Sequence, residues 1–140
     1  MIVGKHHGWI RLVFRREDGK PAGQTKIKYA HGTGGTNAPV TRGVIQTNRQ
    51  AVFLPDADVV WNGHNHQEYI VLVPRERLNN KGNTTIDQQI HIRTSGYQQD
   101  YIGGDGYGSM KGHGPSANAA GELIITVADH KPRLKPSVLL

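Results

Sequence analysis

Apolar and polar residues alternate through Trp9-Ile10-Arg11-Leu12-Val13-Phe14-Arg15, with Ile10, Leu12 and Phe14 in one phase and Trp9, Arg11, Val13 and Arg15 in the other. That two-residue period predicts a strand between Gly8 and Arg16. The polar stretch Glu17 to Gly23, with Asp18-Gly19 inside it, predicts a turn, and Thr25 to Ala30 a second strand ending at His31. Gly32-Thr33-Gly34-Gly35 follows, a run that lets the backbone approach a neighbour closely. From Thr41 to Leu54 the positions Val44, Ile45, Asn48, Ala51 and Val52 trace a helical face, and Pro55 closes it. A third strand from Asp58 to Trp61 or Asn62 stops at Gly63-His64-Asn65-His66.

Tyr69 to Val73 is a continuous apolar run bounded by Pro74, the pattern of a strand buried on both faces. Gln89 to Thr94 and Glu122 to Val127 predict further strands. Between them, Asp100 to Gly121 is glycine-rich and without apolar period, which predicts a long loop. The tail Lys131 to Leu140, with two prolines, is expected to fray unless a strand partner holds it. Together these elements predict an α/β (α+β) fold in one domain over 1–140: a mixed sheet with one crossover helix, then antiparallel strands.

Composition narrows the chemistry. The chain has no cysteine, which excludes a disulfide framework, a Cys-ligated zinc finger and a thiol nucleophile. Any metal must be held by His, Asp, Glu or Asn. No apolar run approaches the roughly 18 residues of a membrane span, and no uncharged segment near the start resembles a secretory signal. A soluble cytoplasmic protein is the expectation, with no membrane partner. The net charge of +6 favours anionic partners, and Arg11, Arg15, Arg16, Lys20, Lys26 and Lys28 gather on the first two strands.

The eight histidines are the informative residues. A strand-helix-strand unit of this length makes two parallel strands with their carboxyl ends side by side, the edge where ligands collect in α/β sheets. His31 and His64 stand just past those two ends, each beside a glycine, and His66 is two residues on. Three imidazoles can therefore point into one crevice, which marks His31, His64 and His66 as candidate metal ligands. Asp56 and Asp58, at the entrance of the third strand, are too far from its other end to share that ion.

With Tyr29-Ala30-His31-Gly32 and Ala57-Asp58-Val59-Val60-Trp61-Asn62-Gly63-His64-Asn65-His66, the chain resembles the calcineurin-like metallophosphoesterases, in a phage or prophage branch. Members of that family carry a metal-binding His at one strand end and Gly-His-X-His at a later one. The resemblance implies a metallophosphoesterase sandwich and hydrolysis of phosphoesters by two divalent ions, Mn, Fe or Zn. His31 and His64 would match ligands of one ion and His66 a ligand of the other. A phage origin would place the protein in a bacterial host cell. The family's Asp-X-His, Gly-Asp and Gly-Asn-His motifs do not stand ahead of His31 here. The chain is thus expected to be the C-terminal part of such a domain, from a truncated or split gene, completed by a separate N-terminal half or by self-association.

Substrate contacts are sought at Asn48 and Arg49 on the helix and at Tyr97 beyond a strand end, where a ring could stack on a base. Solvent-exposed helix and ordinary packing explain the same residues. His91, alternating with Ile90 and Ile92, is expected on the surface, and His6, His7, His113 and His130 in loops without a specific task. The substrate class extends to nucleic-acid phosphodiesters. The competing function is a non-catalytic basic module that binds nucleic acid or a partner chain.

Overall fold

The computed structural model describes residues 4–32, 44–64, 68–94, 110, 120–128 and 131–139. Strands β1 (His7–Arg15) and β2 (Pro21–Ala30) pair antiparallel through the Asp18-Gly19 turn. Helix α1 (Val44–Phe53) leads to β3 (Val59–Asn62), followed by β4 (Tyr69–Leu78) and β5 (Thr84–Arg93). They form a five-stranded sheet in the order β1-β2-β3-β5-β4. Its centre, β2-β3-β5, is parallel, and both outer strands are antiparallel to their neighbours. A separate antiparallel pair joins β6 (Ala120–Ala128) to β7 (Lys131–Leu139). The molecule is thus mixed α+β, mostly strand, with one helix among the described residues.

The hydrophobic core lies on one face of the large sheet, where Ile27, Val59 and Ile90 are in cross-strand register and Ile92 follows two residues on, opposite Trp61. Leu12, Trp61 and Ile70 flank it, and Leu123 and Leu134 bring β6 and β7 onto it. Helix α1 packs on the opposite face, through a layer of polar contacts. The Thr47 hydroxyl bonds to Tyr69 Oη at 2.7 Å, Asn62 Nδ2 donates to Gln50 Oε1 at 2.7 Å, and Gln89 Nε2 donates to the Leu54 carbonyl at 2.7 Å. Leu54 N–H closes the helix on the Gln50 carbonyl, and Pro55 then offers no donor to extend it.

The turn from α1 into β3 is fixed by Arg75 and Arg77, which donate to the Pro55 carbonyl at 3.0 and 2.8 Å. Asp87 accepts from both guanidinium groups, at 2.9 and 3.0 Å through their Nε atoms. Partial burial pushes the Asp87 carboxyl up, yet the hydrogen bonds and charges of Arg75 and Arg77 outweigh it and hold it below its ordinary value. At the start of β3, the Asp58 carboxylate accepts the Lys26 N–H at 2.7 Å, so this acid finishes a strand edge.

The tail has the strand partner on which its order is conditional: Lys131–Leu139 is paired along its whole length with β6. Two expectations are corrected. Tyr69 to Val73 is not buried on both faces, because β4 is an outer strand whose side chains are half-buried or exposed, and it carries Pro74 in its middle. His91 is not on the surface but 1% exposed, since α1 covers the face opposite Ile90 and Ile92. The second strand also begins earlier than predicted, at Pro21. Most of the predicted loop 100–121 lies outside the described residues.

Candidate functional site

Parallel pairing aligns Ala30 with Asn62, so the residues that follow, His31 and Gly63, leave the sheet side by side. Gly63 N–H donates to the His31 carbonyl at 3.2 Å, and Thr94 N–H, just past β5, donates to the Asn62 carbonyl at 3.0 Å. Three strand ends are thus tied together at one edge. The tie leaves no room for a side chain at Gly32. Its φ is +100°, and a Cβ there would stand 2.6 Å from the Gly63 carbonyl oxygen.

Above this junction His31 Nε2 lies 3.1 Å from His64 Nδ1. The rings meet edge to face with centroids 5.0 Å apart, and both residues are exposed. His64 itself has φ +82°, a left-handed conformation that costs a β-carbon residue about 1–2 kcal/mol. A strained backbone that aims an imidazole at a second imidazole is the kind of feature found where a site over-determines its geometry.

Two nitrogens bound to one ion at about 2.0–2.1 Å and the tetrahedral angle lie roughly 3.3 Å apart. The observed separation matches such an edge, so the pair has the spacing of a bidentate metal-binding unit. It equally suits a hydrogen bond in which one neutral ring donates. Among the described residues no group of three His, Cys, Asp or Glu side chains gathers as a metal cage. No family model matches the chain, nor does any curated protein or solved structure.

Other candidates fall differently. His66 and Tyr97 lie outside the described residues. Asn48 and Arg49 are exposed on α1, whose Thr47 and Gln50 are the residues turned to the sheet. The sequence assigns His6 no task, yet its carbonyl accepts the His31 N–H at 2.8 Å and its ring lies 5.7 Å from that of His31. The signal for it is the hairpin register, which pairs His7 with Ala30 and so sets His6 opposite His31. Lys5, His6, His31, Asn62, Gly63 and Thr94 are among the residues lining a cleft of about 600 Å³.

Beneath α1, both Gln89 amide hydrogens go to carbonyls, those of Leu54 and Ala57, so its Oε1 must accept from His91 Nε2 at 2.8 Å. That assignment makes His91 the Nε2–H tautomer, with a buried Nδ1 that has no partner. Burial, reinforced by the Arg75 charge, lowers its pKa to about 4. Arg93 is 5% exposed, with its guanidinium carbon 5.3 Å from the Tyr69 ring centroid and its Nε and Nη1 unpartnered.

Proposed function

We propose that this chain carries the histidine half-site of a divalent-metal phosphoester hydrolase of the calcineurin-like type. The observation that supports it is the 3.1 Å separation of His31 Nε2 and His64 Nδ1 at the carboxyl ends of neighbouring parallel strands. Neutral imidazole lone pairs suit Zn, Mn or Fe, and the two rings would hold one such ion, while the resemblance assigns His66 to a second. A bound divalent ion lowers the pKa of a coordinated water and stabilises charge on a phosphoryl oxygen. Lys5, in the same cleft, offers a cation to a phosphate oxygen. The Gly63 N–H bond to the His31 carbonyl holds the two histidine-bearing loops together before any ligand arrives. A bridging carboxylate would come from a second polypeptide or another copy of this chain.

Calorimetric titration of Mn²⁺ and Zn²⁺ into the wild type, His31→Ala and His64→Ala tests the pair directly. Uptake by the wild type and its loss in both variants is the expected result. Equal uptake by all three would refute the reading. A parallel assay of Mn²⁺-dependent phosphodiester hydrolysis, with and without added N-terminal motifs, reports whether the half-site acts alone.

A further inference from the structure

The register of the β1–β2 hairpin places Trp9 opposite Lys28 and Arg11 opposite Lys26, and strand alternation puts all four side chains on one face. This is the face that α1 covers elsewhere in the sheet, but the helix contacts run to Asn62, Tyr69 and Gln89 on β3, β4 and β5. Among the described residues nothing covers the hairpin on this face, and Trp9 is 49% exposed. Lys28 Nζ lies 5.4 Å from the centroid of its ring. Arg11 Nε bonds only a neutral group, Gln24 Oε1, at 2.8 Å. Among the described residues the side chains of Arg11, Lys26 and Lys28 form no ion pair, the Asp58 carboxylate being taken by the Lys26 backbone N–H.

A large aromatic half in water among three uncompensated cations is poorly explained by packing, which would bury the ring, or by solubility, which needs no tryptophan. It matches the chemistry of an extended polynucleotide, whose bases offer π-faces and whose backbone offers regularly spaced anions. A duplex satisfies only half of this, because its bases are already stacked on one another. We infer that the open face of the β1–β2 hairpin binds a single strand of nucleic acid, with a base stacked on Trp9 and phosphates on Arg11, Lys26 and Lys28. The track runs toward the histidine pair. Lys28 precedes His31 by three residues, about 10 Å along β2, so one strand touching Trp9 can reach the cleft. The inference rests on the hydrolase reading only in naming which phosphodiester that cleft would meet.

Fluorescence anisotropy of a labelled twelve-nucleotide dT strand, in EDTA, tests it without metal. The wild type is expected to bind the strand more tightly than a duplex of equal length, with affinity that falls as salt rises. Trp9→Ala should weaken binding about tenfold or more, while Trp9→Phe, which keeps a ring, should retain most of it. Arg11→Gln with Lys28→Gln should flatten the salt dependence by roughly 0.7 in log–log slope for each phosphate no longer neutralised. Trp9 and Arg11 are exposed and Lys28 is half-buried, none of them in the core, so matched far-UV circular dichroism is expected throughout. Unchanged affinity in Trp9→Ala, preference for duplex, or tighter binding to phosphatidylserine vesicles than to the strand would each overturn the inference. Since EDTA removes metal from the assay, absent metal uptake would refute the hydrolase reading alone, and absent strand binding this inference alone.

Discussion

Gly32→Ala puts the joint between the two histidine loops to a quantitative test. Two costs fall on this position: the left-handed backbone at φ +100°, and the approach of a Cβ to 2.6 Å from the Gly63 carbonyl oxygen and 3.1 Å from His64 Cβ. The backbone cost is about 1–2 kcal/mol, partly offset by roughly 0.4–1 kcal/mol from the stiffer unfolded chain. A forced overlap with backbone adds about 1–3 kcal/mol. Gly19 and Gly82 supply the control, because their φ values are +79° and +81° but an added Cβ would meet nothing within 4 Å. Urea unfolding should therefore show about 1 kcal/mol lost or less for Gly19→Ala and Gly82→Ala, and about 2–4 kcal/mol for Gly32→Ala. Relief of the overlap pushes His64 away from His31, so Zn²⁺ affinity should fall in Gly32→Ala and stay unchanged in the other two. A Gly32→Ala cost no greater than that of Gly82→Ala would refute the close approach of these loops.

Three further outcomes are expected. His64→Gly removes the ring and the positive-φ strain together, so it should be about 0.5–1 kcal/mol more stable than His64→Ala; the reverse order in urea melts would mean that the strain is absent. His91 is depressed to about 4 in the fold against an ordinary 6.5, so above pH 6.5 it contributes no penalty, and stability should fall by about 3 kcal/mol as pH drops from 6.5 to 4 while the unfolded chain takes up the proton first. His91→Leu should flatten that slope, and an unaltered pH profile would place the acid sensitivity elsewhere. Arg93→Met replaces a buried guanidinium whose Nε and Nη1 have no hydrogen-bond partner with an apolar side chain of similar length, and should leave stability unchanged or raise it by about 1 kcal/mol. A loss above about 2 kcal/mol in the same assay would show that Arg93 Nε and Nη1 find hydrogen-bond acceptors in solution.

The parallel β2–β3 pair is legible because it is written locally, whereas the insertion of β5 beside β3 is not. Strand, helix and strand between Thr25 and Asn62 each have their own period, and one crossover leaves their carboxyl ends adjacent. What is not legible depends on what covers what. Tyr69 to Val73 is apolar in itself, but an apolar run does not say which strand will be outermost; Pro74 is the better indicator, since proline within a sheet belongs to edge strands. His91 does face away from Ile90 and Ile92, as its alternation predicts, but what it meets on that side is α1 rather than water. The polar underside of α1 bonds to the sheet through Thr47 and Gln50, with Gln89, His91 and Arg93 buried on that same face, and no apolar pattern announces such a layer. In β7 the prolines disguise a regular alternation in which Pro132, Leu134 and Pro136 are half-buried while Arg133 and Lys135 are exposed. At the site, the nearness of His31 and His64 follows from topology, whereas His6 needs the hairpin register.

The proline in the middle of β4 also bears on how the protein avoids joining copies of itself. A sheet with two outer strands offers two places where a second chain could continue the hydrogen-bond ladder. On the β4 side, Pro74 has no N–H to give, and Arg75 and Arg77 stand next along the strand, so a ladder started there is interrupted. The other border, β1, is a nine-residue strand without proline, protected instead by Arg11 and Arg15, whose like charges would oppose an identical strand laid beside them. One edge is therefore guarded by covalent structure at any ionic strength and the other by electrostatics that salt weakens, so concentrated salt should make β1 the route to aggregation.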